Sequence, residues 1–322
     1  MQEQVLRLFK EHQPEFVSGE LISKNLGVSR TAIWKHVQAL RAMGYDIASQ
    51  PHAGYRLISV PDRLYPQEIF SGLQTEFIGR RIFYFAQVSS TNKLAQELAG
   101  EGAPDGSLVI AEEQTGGKGR LSRGWFSPFG QGIWCSLILY PPVQPVDAPP
   151  LTMLAGVAVA RAGRRVAGIK AGIKWPNDLL LGDKKFCGIL TEMSAEMERI
   201  NYLIIGTGIN VNIDNFPGEI QNMATSLKAY TGRVISRVKL LQVFLQEMEQ
   251  LYRIWLKEGF SPVLKLWKEL SVTLHCPVKV SSGKENVEGW AEDVDEGGNL
   301  ILRLADGSRK RFVNGEVSLR PR

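Results

Sequence analysis

Cysteine is scarce and scattered in this sequence: Cys135, Cys187 and Cys276 are its only three, with no C-x-x-C spacing among them. That excludes a disulfide framework and a thiolate metal site, and leaves reduced, buried thiols as the expectation. No apolar stretch approaches the ~20 residues that cross a bilayer. The opening MQEQVLRLFKEH carries charge inside its apolar run, unlike a signal peptide. A cytoplasmic location with no membrane partner is therefore expected. A Walker loop is missing too, because Lys118 is followed by Gly119 and Lys284 by Glu285 where the motif needs Ser or Thr. The dinucleotide pattern G-x-G-x-x-G also lacks its strand-to-helix setting. Charge of one sign is not abundant: 38 Lys and Arg against 33 Asp and Glu give +5, a modest lean toward anionic partners.

What is present is apolar enough for a large core, at 44% of 322 residues, and long enough for two or three domains. The organising stretch is QTGGKGRLSRGW, from Gln114 to Trp125. Gly116, Gly117, Gly119 and Gly124 let backbone approach a ligand, while Lys118, Arg120 and Arg123 supply three cations. It lies between apolar runs at 107–111 and 133–140 that read as strands of one sheet. Phosphate or adenylate chemistry fits this composition. A plain solvated loop fits it as well.

Residues 1–58 carry three helical patterns and a hairpin signal. Val5, Leu6, Leu8 and Phe9 form a first apolar face; Ser18 precedes a helix with Leu21, Ile22 and Leu26 that Gly27 ends. Ser29 then opens a third helix whose Ile33, Val37 and Leu40 face inward and whose Arg30, Thr31, Trp34, Lys35 and Gln38 face outward. This is a helix-turn-helix arrangement suited to the major groove of DNA, with residues 47–58 as a two-stranded wing from which His52 and Arg56 reach phosphates. A protein-binding or purely structural winged helix is the alternative reading of the pattern. Seven Lys and Arg against five Asp and Glu in residues 1–60 make one copy a weak DNA binder, so a dimer on two half-sites is expected.

A short linker, Ser59-Val60-Pro61-Asp62, leads to a helix at 67–73 and then to strands at 82–85, 108–111, 133–140, 173–174, 179–181, 186–192 and 202–206, with a long helix at 151–167. Strands and helices that do not strictly alternate argue an α+β domain with a mixed sheet. Polar segments recur at strand ends. Ser90, Thr91 and Asn92 suit either a helix cap or the reading of a small amide-like head group. Asp178, after Asn177, suits a turn, a Mg²⁺ ligand or the steering of a lysine. Amphipathic helices at 234–255 and 262–270 close this domain, and from Thr273 short strands with Gly turns, Asp306-Gly307 among them, read as a small β-barrel. Arg309, Lys310 and Arg311 read as its solvated edge.

The segments EQTGGKGRLSRGWFSPFG, STN, KWPNDLLL, KKFCGIL, GTGINVN and GEVSLR, in that order along the central and C-terminal parts but for STN, which precedes the first, resemble the bifunctional biotin protein ligases that double as biotin operon repressors. The resemblance runs over essentially the whole chain. It implies a winged helix-turn-helix over 1–60, a class II synthetase-like catalytic domain over 66–270 and an SH3-like domain over 271–322. It also implies formation of biotinyl-5′-AMP from biotin and ATP with Mg²⁺, transfer to a lysine of a biotin carboxyl carrier protein of a carboxylase, and repression at operator DNA by an adenylate-bound homodimer. Carried over residue by residue, Ser90, Thr91, Asn92 and Gln114 would hold the biotin head group. Lys118, Gly119 and Arg120 would lie along its tail and the phosphate, and Lys185 would meet first the carboxylate and then the α-phosphate. Trp125, Asn177 and Asn210 would serve the nucleotide, with Arg120, Lys185 and Asp178 in catalysis; metal ligands are not assigned. Ser29, Arg30, Thr31, Trp34, Lys35, His52 and Arg56 would face DNA. The family's loop usually reads GRGR followed shortly by GR, so Lys118 and Ser122 depart from it, and lysine keeps charge while losing the planar two-pronged grip. A biotin sensor without catalysis and a lipoate ligase are the competing functions; the second leaves residues 1–58 unexplained.

Overall fold

The computed structural model describes residues 1–283 and 285–319; Lys284 and Arg320, named in the motifs above, lie outside them with Pro321 and Arg322. The chain divides into two compact units, Met1–Arg63 and Leu64–Arg322.

In the first unit, α1 (Gln2–Glu11), α2 (Gly19–Leu26) and α3 (Arg30–Ala42) precede the hairpin β1 (Asp46–Gln50) and β2 (Gly54–Ser59). Local chemistry sets these limits. Ser18 and Ser29 accept the Leu21 and Ala32 N–H groups at the two helix starts, and Gly27 ends α2 in the left-handed region. Val5, Leu6, Phe9, Ile22, Ile33, Val37 and Leu40 form the core. Leu21 is exposed instead, because eight-residue α2 turns only Ile22 fully inward. Trp34 is 53% exposed on the outer face of α3. Gly54 cannot carry a side chain, since a Cβ there would stand 2.0 Å from the Val17 carbonyl oxygen.

The second unit is built on a seven-stranded sheet in the order β3-β4-β5-β9-β8-β7-β6. After α4 (Pro66–Phe70), β3 (Ile82–Val88) leads through α5 (Thr91–Gly100) to β4 (Leu108–Gln114), its parallel neighbour. Then β5 (Gly132–Leu139) and α6 (Pro150–Ala167) precede the antiparallel β6 (Gly172–Lys174), β7 (Asp178–Leu181), β8 (Lys184–Ala195) and β9 (Ile200–Asn210). One face packs on α6, α8 (Arg237–Glu258) and α9 (Ser261–Leu270); the other packs on α5 through Ala95, Val109, Ile138 and Ile204. The short α7 (Leu227–Thr231) follows β9. Most strands run longer than their apolar stretches, because their ends carry the polar site residues. α8 starts at Arg237, not at Val234, because the Ser236 hydroxyl caps it by accepting the Lys239 N–H.

The C-terminal strands β10 (Pro277–Ser282), β11 (Glu285–Val294), β12 (Leu300–Arg303), β13 (Arg309–Phe312) and β14 (Glu316–Leu319) form an antiparallel sheet in the order β13-β12-β11-β10-β14. Among the described residues the edge strands β13 and β14 are not paired with each other. The expected basic edge is neutralised: Arg309 pairs with Glu292, Lys310 with Glu285 and Arg311 with Asp295.

One buried carboxylate fastens α8 to the start of the sheet. Glu249 accepts the backbone N–H groups of Glu76, Phe77 and Ile78 at 2.8–3.1 Å. Glu249→Ala strands these donors and is expected to cost about 3–5 kcal/mol, whereas Glu249→Gln, which keeps an acceptor, costs less. Urea midpoints of the two variants check the difference.

Candidate active site

Strand β9 carries glycine at two alternate positions of its α5-facing side, where Ile204 is core and Gly206 and Gly208 follow. Alternation places these three and Asn210 on one face. The missing side chains form a trough, and two residues from elsewhere lie in it. Asn92 rests on Gly206, where a Cβ would stand 2.0 Å from its Oδ1; the Trp125 indole rests on Gly208, where a Cβ would stand 2.4 Å from its Nε1. Gly188 of β8 pairs directly with Gly208 and widens the floor, with Lys185 Nζ 3.1 Å from its would-be Cβ.

At the Gly206 end the polar groups interlock. The Ser90 hydroxyl caps α5 through Lys93 N–H, and Gln114 Oε1 accepts both the Thr91 N–H (2.8 Å) and its hydroxyl (3.0 Å). Ser136 Oγ donates to Asn92 Oδ1 at 2.6 Å and lies 2.8 Å from Thr91 Oγ1. The Asn92 amide donates to Glu192 (2.7 Å) and to the Leu190 carbonyl (3.3 Å). The capping reading holds for Ser90, whose side chain accepts the Lys93 N–H, and Ser90, Thr91 and Asn92 all line the cavity.

The basic loop joins β4 to β5 and folds back on itself. Gly116 N–H donates to the Ser89 carbonyl, Gly119 N–H to Arg123 and Trp125 N–H to Gly117, each at 2.8 Å. Gly117 is required by close approach, since its Cβ would meet the Trp125 carbonyl oxygen at 2.9 Å. Leu121 and Ser122 both sit at positive φ, 55° and 56°, conformations that suit glycine. Arg120 Nη1 donates to Asn177 Oδ1 (3.2 Å) and to the Gly315 carbonyl (3.0 Å), and Arg123 pairs with Glu316 at 2.6 Å. The loop is therefore latched onto the C-terminal sheet.

Loop, trough and C-terminal sheet enclose a cavity of about 680 Å³. Ser90, Thr91, Asn92, Gln114, Lys118, Gly119, Arg120, Trp125, Asn177, Asp178, Lys185 and Asn210 all line it, so every cavity residue expected from sequence is gathered in one place. Lys185 and Asp178 form an ion pair at 2.6 Å, and Lys185 Nζ stands 5.0 Å from the Trp125 ring centroid. Three buried polar atoms of lining residues have no hydrogen-bond partner: Trp125 Nε1, Thr207 Oγ1 and Asn210 Oδ1. Such groups are costly unless a ligand satisfies them. Burial pulls Arg120 and Lys174 below their ordinary values, with Asp178 and Glu316 opposing in each case. Burial pushes Cys135 up to about 12 and Cys187 well above its usual range, so neither thiol is a nucleophile.

Sequence reasoning missed several lining residues. Lys174 and Glu316 stand in the motifs KWPNDLLL and GEVSLR but were given no role of their own, and the 220–224 segment lies in no motif; the Lys185 N–H donates to the Met223 carbonyl at 2.8 Å and fixes that segment beside the site. Among the described residues no cluster of three or more His, Cys, Asp or Glu could hold a metal. In the first unit, Arg30, Thr31, Trp34 and Lys35 are exposed on α3 with Ser29 as its cap, and His52 stands exposed at the wing tip. Arg56 is turned back over the Phe16 ring, 4.6 Å from its centroid.

A cationic middle flanked by a hydroxyl–amide pole and an indole–amide pole defines a site for an anionic ligand with two dissimilar ends, carried by a chain that also has a helix-turn-helix unit. Family models agree with each part: HTH domain over residues 1–56, Biotin/lipoate A/B protein ligase family over 84–210 and Biotin protein ligase C terminal domain over 276–320. The chain is 43% identical to the bifunctional ligase/repressor BirA of Bacillus spizizenii over 97% of each chain. It is 33% identical to that of Escherichia coli, over 95% of this chain and 94% of the other. The biotin protein ligase of Aquifex aeolicus solved with biotin and ATP superposes with a TM-score of 0.67 at 29% identity, covering 75% of this chain and 99% of that one. This chain belongs to the family of bifunctional biotin ligase/repressors.

Proposed function

We propose that the chain joins biotin to ATP, transfers it to a lysine of a carboxylase carrier domain, and represses biotin genes when loaded with the intermediate. The carrying observation is the convergence of Lys118, Arg120, Lys174 and Lys185 on one cavity between two uncharged poles. A biotin carboxylate oxygen attacks the α-phosphorus of ATP, and pyrophosphate leaves with the electrons of the broken P–O bond. The ε-amine of the carrier lysine then attacks the acyl carbon, losing its proton, and AMP leaves. Two anions must meet in the first step, so fixed cations supply most of the assistance. Lys185, released from Asp178 by the incoming carboxylate, neutralises it and then the α-phosphate, while Asp178 becomes available to the carrier amine. Ser90, Thr91, Asn92 and Gln114 read the ureido head; Lys118, Gly119 and Arg120 follow the tail. Trp125, Asn177 and Asn210 meet the nucleotide, whose acceptors and donors would satisfy the partnerless Trp125 Nε1 and Asn210 Oδ1. With no protein cage for a metal among the described residues, Mg²⁺ fits as an ion held chiefly by the nucleotide phosphates.

The outer face of α3, from Arg30 to Lys35, enters the major groove while Ser29 and His52 stay near phosphates, which Arg56 would reach by leaving the Phe16 ring. The weak charge of the head makes an adenylate-dependent homodimer, acting in the cytoplasm, the form that binds operator DNA. Domains over 1–60, 66–270 and 271–322 divide these tasks. Biotin-dependent exchange of labelled pyrophosphate into ATP tests the ligase reading; absence of exchange with DNA binding intact would leave only a sensor, and equal use of lipoate would point to a lipoate ligase. Ser122→Val, β-branched at φ 56°, is expected to raise the cost of the closed loop by about 1–2 kcal/mol. Its side chain is exposed, so the melting temperature should hold while adenylate escapes about tenfold faster, as filter binding would measure.

A further inference from the structure

One fully buried ion pair has no part in the chemistry above. Glu112 of β4 and Arg237, the first residue of α8, meet at 2.9 Å with side-chain exposures of 0% and 1%. On stability grounds the placement is poor: both ions have lost water, and the cation sits at a helix N-terminus, the positive end of the macrodipole. Its contacts indicate another purpose. Arg237 Nη1 also donates to the carbonyl of Gly132, the first residue of β5, at 3.1 Å. Glu112 accepts the Leu64 N–H on its other oxygen at 2.9 Å, and its own carbonyl accepts the Gly130 N–H at 3.0 Å. The pair thus grips both ends of the segment 115–131 that carries Lys118, Arg120 and Trp125. The turn before α8 is tied to the same place, because Asn212 exchanges two side-chain hydrogen bonds with Ile235 while its N–H donates to the Gln131 carbonyl at 2.7 Å. Asn212 lies two residues beyond Asn210 of the cavity.

We infer that Glu112 and Arg237 are positioning residues for the basic loop. They fix the strand ends on either side of it, so that ligand binding rearranges only the residues between and always returns them to one closed geometry. An apolar pair of similar volume would stabilise the fold as well without holding the Gly132 carbonyl and the Leu64 N–H in register. The inference rests on the reading that this loop closes over an adenylate.

Trypsin cuts after Lys118, Arg120 and Arg123, so its rate there reports the loop directly in the full-length protein. Wild type, Glu112→Gln, Glu112→Gln/Arg237→Met and Arg237→Lys are compared with and without biotin plus ATP, together with melting temperature and adenylate retention. In the double variant, cleavage without ligand is expected to be faster, ligands no longer protect, and adenylate leaves about a hundredfold faster, the scale of a small misplacement at a reacting centre. Glu112→Gln alone lies between, and Arg237→Lys, which keeps the charge at Glu112, stays near wild type. A folded double variant protected and retentive like wild type overturns the inference. If the double variant does not fold, Glu112→Gln decides, and unchanged protection in it is equally contrary. Absence of pyrophosphate exchange in wild type removes the ligase reading alone, since the cleavage rates without ligand still compare the loop's anchoring.

Discussion

Lys185→Ala is expected to lower biotin-dependent pyrophosphate exchange by about three orders of magnitude while leaving the fold intact. Its ammonium is about one-third exposed and lies over Gly188, where the lining offers no other cation in the same position. Removing one preorganised charge from a developing anion costs roughly 3–4 kcal/mol. Its present partner, Asp178, loses that ion pair, which adds repulsion toward an incoming carboxylate. Lys185→Arg should recover only part of the rate, because a planar fork does not fit over the Gly188–Gly208 pair as a compact ammonium does. A loss confined to KM, with kcat unchanged, would mean that Lys185 merely binds substrate.

Gly206→Ala is the second large effect. The added methyl would stand 2.0 Å from Asn92 Oδ1 and 2.7 Å from its Cγ. Asn92 cannot withdraw cheaply, because it is held by Ser136, Glu192 and the Leu190 carbonyl. Either the strand or this buried network yields, and losing two such bonds costs about 2–4 kcal/mol. kcat/KM for biotin is expected to fall by about two to three orders of magnitude, with KM for ATP little changed, as steady-state exchange kinetics would measure. Equal losses for both substrates would show that Asn92 does not belong to one pole only.

The loop was legible in the sequence because glycines interleaved with cations, set between two apolar runs, bring bare backbone and positive charge to the same strand ends. The head was legible through a helix cap and a 3.6-residue rhythm: Ser18 caps as expected, and Ser29, expected only to start the third helix, caps it. The trough was not. GTGIN announces a motif, but nothing in it says that Asn92 and Trp125, from distant segments, lie on its two glycines. The 220–224 segment stayed hidden for a related reason, entering the cavity by tertiary packing without a local pattern; Lys174 and Glu316 stand in motifs, but only packing brings them to the same cavity. Glu112 and Arg237 look like any strand or helix charge until folding removes both from water.

The central claim is that the basic loop from Thr115 to Gly124 closes over an acyl-adenylate and neutralises it. Hydrogen–deuterium exchange of the full-length protein with and without a non-hydrolysable biotinyl-adenylate analogue tests it most directly. Strong protection of the loop amides, together with those around Trp125 and Lys185, is the expected result. Tight binding of the analogue with loop amides exchanging as fast as in the free protein would contradict it.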